Sequence, residues 1–69
     1  MDDFKIYDNV DASCLEEHDQ IVYDDQYIVL DKVIDNGDTI YVKGVSYITD
    51  EVEEFDIPAD EDVKLWMLA

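Results

Sequence analysis

The chain contains no arginine and only four lysines, Lys5, Lys32, Lys43 and Lys64, against 20 Asp and Glu, so its formal net charge is −16. So few cations exclude direct binding of nucleic acid, whose affinity comes from Lys and Arg neutralising phosphates. A single cysteine, Cys14, excludes an intramolecular disulfide framework and fits a reducing compartment. One histidine, His18, leaves no Cys/His zinc pattern and no Ser/His/Asp arrangement. Two glycines supply neither a phosphate-binding loop nor a dinucleotide fingerprint. No apolar run approaches the roughly 18 residues of a transmembrane helix. Residues Met1-Asp2-Asp3-Phe4-Lys5 carry neither the basic nor the apolar stretch of a signal peptide. The expectation is a soluble cytoplasmic protein.

What is present argues for a folded domain. Of the 69 residues 48% are hydrophobic, with five Tyr, two Phe and one Trp, whereas acidic disordered chains are poor in aromatic and β-branched residues. The length allows one domain, residues 1–69, with one modest core. Runs dense in Val, Ile, Leu and Tyr mark strands at 20–23, 26–34, 39–45, 52–57 and 63–67. Asn36-Gly37 reads as a type I′ hairpin turn, Asp24-Asp25 as a second and weaker hairpin turn, and Thr49-Asp50-Glu51 as a third.

Alternation assigns the faces. Ile40 and Val42 point inward, as do Phe55 and Ile57, and as do Val63, Leu65 and Met67. The run Val29-Leu30-Asp31-Lys32-Val33-Ile34 does not alternate and predicts a bulge. The fold class is therefore all-β: a small antiparallel curled sheet or SH3-like barrel of about five strands. The N-terminal segment adds either a strand around Phe4–Tyr7 or a short helix or turn within 12–18, with Cys14 and Leu15 as its apolar contacts.

Chemistry is scarce. His18, in Glu16-Glu17-His18-Asp19, has the surroundings of a solvent-facing side chain, and carboxylates near Cys14 work against a reactive thiolate. Asp31, Asp35 and Asp38 around Gly37 lack the ligand spacing of a calcium loop. The sequence predicts a protein that is not an enzyme, with no cofactor and no dedicated metal site. Adaptation to high salt would also produce an acidic surface, but richness in Ile and Tyr, which have AT-rich codons, runs against the usual halophile bias.

Function therefore has to come from the charge. Acidic clusters recur along the whole chain: Asp2-Asp3, Asp8 with Asp11, Glu16-Glu17-Asp19, Asp24-Asp25, Asp35 with Asp38, Asp50 to Asp56, and Asp60 to Asp62. Carboxylates on neighbouring strands about 4.8 Å apart reach a density comparable to duplex DNA, with about one charge per 1.7 Å. In these features the chain resembles the small acidic DNA-mimic proteins of bacteriophages, and within them the host-takeover proteins of lytic phages of Gram-positive bacteria. The resemblance covers the whole chain in character and rests on no signature motif. It implies an inhibitor that blocks the DNA-binding surface of a basic host protein in the bacterial cytoplasm, such as the nucleoid protein HU.

The expected phosphate surrogates are Asp24, Asp25, Asp35, Asp38, Asp50, Glu51, Glu53, Glu54 and Asp56, converging on one side of the sheet, with Tyr41 and Tyr47 as apolar contacts and Trp66 either a core-edge aromatic capping the sheet or a partly exposed contact. The competing expectation is a small acidic adaptor or phage accessory protein that binds a protein partner without mimicry. A homodimer, through Trp66-Met67-Leu68 or a sheet edge, is the expected form of any self-association.

Overall fold

The computed structural model describes residues 4–68; the Asp2-Asp3 cluster lies outside them. Six strands follow one another: β1 (Phe4–Asp11), β2 (Gln20–Tyr23), β3 (Gln26–Asp35), β4 (Thr39–Ser46), β5 (Val52–Pro58) and β6 (Asp62–Leu68), with a 3-10 turn (Ala12–Cys14) after β1. They form one antiparallel sheet in the order β1-β6-β2-β3-β4-β5. The sheet curls without closing, so the curled sheet holds rather than the barrel. The N-terminal segment supplies the sixth strand and the short turn together.

Alternation builds the core. Ile21, Ile28, Leu30, Ile40, Val42, Ile57, Val63 and Leu65 share the concave face and are buried with Ala12 and Leu15 of the turn region. The predicted bulge is present: β3 pairs Leu30 with Gly44 and then Lys32 with Lys43, leaving Asp31 as the extra residue. That shift keeps both Leu30 and Val33 on the core side despite their odd spacing. Gly44 is required there, because a Cβ would run into the Val29 carbonyl oxygen and lie 2.8 Å from Ile28 Cγ2. At one end the Ala12 N–H donates to the Glu61 carbonyl (2.9 Å), Ser13 to Ala59 (3.1 Å) and Ala59 to Asp38 (2.9 Å). These bonds gather the 3-10 turn, the β5–β6 turn and the β3–β4 turn.

Three expectations need correction. Cys14 is exposed, and Ala12 takes the buried place assigned to it, because the 3-10 turn aims its first residue at the core. Met67 follows the alternation but is 44% exposed, since it pairs with Lys5 past the end of the core. The β3–β4 turn has positive φ at Gly37 (92°) and not at Asn36. Because Asn36 N–H donates to the Thr39 carbonyl (2.9 Å), the central pair is Gly37-Asp38, with the φ signs of a type II′ turn.

The other face of the sheet is also apolar in its middle. Phe4, Tyr27 and Tyr47 surround Trp66, with ring centroids 5.2, 5.6 and 5.3 Å from it, all in edge-on arrangements. Such edge-on pairing suits the aromatic quadrupoles. Trp66 is fully buried, as its reading as a core-edge aromatic has it, so it supports this face and cannot itself touch a partner as the contact reading required. Its indole N–H has no hydrogen-bond acceptor among the described residues.

Candidate functional site: an acidic rim around an aromatic groove

The β2–β3 hairpin closes over two residues, since Tyr23 pairs with Gln26. Both central residues have positive φ, 52° at Asp24 and 62° at Asp25. This is the type I′ signature, which Asn-Gly usually supplies, yet here two carboxylates occupy it. The β4–β5 connection repeats the theme: Asp50 has φ 60°. Its N–H donates to the Ser46 carbonyl (2.8 Å), and Ser46 N–H donates to the Glu51 carbonyl (2.8 Å). The buried Ser46 hydroxyl oxygen accepts from Thr49 N–H at 3.4 Å. Tyr47 N–H donates to the Tyr27 carbonyl (2.7 Å), which holds this loop beside the β2–β3 hairpin.

Between the hairpin tip and β5 lies a groove of about 240 Å³, lined by Tyr23, Gln26, Ile28 and Phe55, with Asp24, Glu53 and Glu54 around it. Its floor forms because Tyr23 and Phe55 both point to the concave side and stack, centroids 4.9 Å apart and planes 13° from parallel. An aromatic and aliphatic floor under carboxylates suits a long basic side chain, whose stem can bury while its cation meets the acid. On the opposite side of β5, the Tyr41 hydroxyl donates to Glu54 Oε1 at 2.9 Å and fixes that carboxylate.

The expected surrogates therefore separate. Asp24, Asp25, Asp50, Glu51, Glu53 and Glu54 gather at one end of the sheet. Asp35 and Asp38 sit at the far end of β3, where Asp35 Oδ1 accepts from Gly37 N–H at 2.8 Å and shapes its own turn. Glu53 and Glu54 alternate faces: Glu53 is half-buried on the Phe55 side, while Glu54 and Asp56 project from the other. Tyr47 is 37% exposed and Tyr41 is half-buried. Sequence reasoning missed the groove, because Tyr23 and Phe55 meet only through the fold. Among the described residues no three His, Cys, Asp or Glu converge on a metal position, and no helix is long and apolar enough to cross a membrane.

Two phenols feel this acidic surface. Burial pushes the Tyr23 hydroxyl above its ordinary 10.0, helped by the nearby Glu61 carboxylate and by the charge of Asp24. The hydrogen bond to Glu54 raises Tyr41 first, with burial and the Glu54 and Asp56 charges adding to it. A raised folded pKa favours the protonated form, so this contribution is intact below pH 10.0. It is lost as pH climbs through the folded values. The melting temperature should therefore fall above about pH 10, and Glu54→Gln should bring the Tyr41 share of the phenolate absorbance back toward the ordinary range. A melting temperature that rose over that interval would contradict the assignment.

Comparison of the chain with protein families, curated proteins and solved structures gives no match.

Proposed function

We propose that this protein is a non-enzymatic DNA mimic that occupies the DNA-binding surface of a basic bacterial protein, a nucleoid protein of the HU type, during phage takeover of the host cytoplasm. The observation that carries this reading is where the aspartates sit. Among the described residues, three of the four non-glycine residues with positive φ are Asp24, Asp25 and Asp50, all at the acidic rim. Asp tolerates left-handed backbone less freely than Gly, and two adjacent carboxylates repel each other. Asn or Gly would suit the hairpin better on both counts. The chain keeps negative charge where it weakens the fold, which is expected when the charge is what a partner reads.

A basic surface docking on this rim gains steering and counterion release, as it would on a phosphate backbone. The groove between Tyr23 and Phe55 then accepts one of the partner's lysine or arginine side chains. The test separates stability from binding. Asp24→Asn with Asp25→Gly should stabilise the fold by about 1 kcal/mol while weakening displacement of DNA from an HU-type protein several-fold. If the variant inhibits as well as the parent, the hairpin carboxylates are not read by the partner.

A second reading, an acidic adaptor without mimicry, is favoured by the exposure of Val45, Tyr47, Val52 and Leu68 on the other face. Salt distinguishes the two: apolar docking survives high salt, whereas charge docking is screened.

A further inference from the structure

Small antiparallel sheets ordinarily bury one face and leave the other polar. Here the convex face is apolar as well. The register places Phe4, Ile6, Val22, Tyr27, Val29, Val45 and Val52 on it, flanking Trp66 and Leu68. Ile6 is 41%, Val52 60% and Leu68 41% exposed. Monomeric soluble proteins rarely leave contiguous apolar patches of this kind uncovered.

The charges on this face differ from those elsewhere. Lys32, Lys43 and Lys64 are on it, three of the chain's four lysines. Glu54 and Asp56 sit on its β5 side, with Glu54 opposite Lys43 in the register, and Asp11 pairs with Asp62 at the far corner. This is where two copies carrying −16 each repel least. It is also self-complementary. A two-fold axis near β2 and β3 carries the β5 margin of one copy, with its carboxylates, toward the β1 and β6 margin of the partner across an apolar centre. A foreign basic partner would gain little here, since the acid lies mainly elsewhere.

We infer that the occupant of the convex face is a second copy of this chain, giving a two-fold dimer with the groove and the hairpin carboxylates Asp24 and Asp25 of each copy turned outward. A standard interface takes about 800 Å² from each partner, less than a fifth of the 4536 Å² this chain exposes. The inference goes beyond the mimic reading and stands or falls separately from it.

Sedimentation equilibrium of the whole chain tests it. The parent should sediment as two copies of the 8.0 kDa chain at about 0.15 M salt, and more firmly as salt rises, because screening removes repulsion while apolar contact remains. Val45→Lys with Val52→Lys should give a monomer whose circular dichroism matches the parent. Leu68→Lys, at the other margin, is the second variant in case the first disturbs β4. A parent that stays monomeric at its highest soluble concentration would overturn the dimer, as would one whose association survives both variants. Competition with DNA is measured on the parent and on Leu68→Lys, which places no new cation between Glu51 and Glu53. Because that contact weakens with salt while the dimer strengthens, failure of the mimic reading shows up separately from failure of this one.

Discussion

Trp66→Ala should remove a large share of the domain's stability. Truncating a buried tryptophan costs about 3–5 kcal/mol, and a domain of this size has a total stability of roughly 4–10 kcal/mol at the usual amount per residue. Trp66 is fully buried and lies among Phe4, Tyr27 and Tyr47. Those rings come from β1, β3 and the residue after β4, so the cavity would loosen the sheet across most of its width. Trp66→Phe should cost much less, since the indole N–H makes no hydrogen bond among the described residues that phenylalanine would forfeit. Urea titration of the two variants checks the pair. An alanine variant within about 1 kcal/mol of the parent would show that the convex aromatic cluster contributes little to stability.

Reversing charge at the rim should abolish inhibition and spare the fold. Glu51→Lys, Glu53→Lys and Glu54→Lys together move the formal charge from −16 to −10, since each reversal adds two. Glu51 and Glu54 are exposed, and a lysine at half-buried Glu53 can carry its ammonium out to water. Asp24, Asp25 and Asp50 are left in place, because lysine at their positive φ would add strain and confuse the result. Binding to a basic partner should weaken on the order of 100-fold, as several close charge pairs turn from attraction to repulsion. Circular dichroism and melting should match or exceed the parent, since crowding of like charge is relieved. Inhibition equal to the parent's would place the reading surface elsewhere on the molecule.

The local features of this fold were legible because they depend on neighbours in sequence. Strand runs, the bulge at Asp31 and the inward set Ile40, Val42 and Ile57 all follow from period-two alternation and its one interruption. The hairpins show where local reasoning stops. Asn36-Gly37 carries the strongest type I′ propensity, yet the register places Gly37 first in its turn, and the type I′ geometry falls on Asp24-Asp25. Propensity fixes which residues tolerate a turn, while strand pairing decides which of them sit at its centre.

The groove and the Trp66 cluster were not legible, because both join residues distant in sequence through the strand order β1-β6-β2-β3-β4-β5. The candidate carboxylates were partly legible. Those in the β2–β3 turn and around the β4–β5 connection come together, whereas Asp35 and Asp38 are carried to the far end by the length of β3. Nothing local distinguishes these two sets, since each is simply acid in a turn.

The most direct test is competition in solution. An HU-type nucleoid protein is bound to a fluorescent duplex, the acidic chain is titrated in at about 0.15 M salt, and release of DNA is followed by anisotropy. The account expects complete displacement near one equivalent of binding sites. It also expects a parallel titration at higher salt, read by direct association of the two proteins, to show weaker binding. DNA that stayed fully bound at a large excess of the acidic chain, with no association between the two proteins, would contradict it.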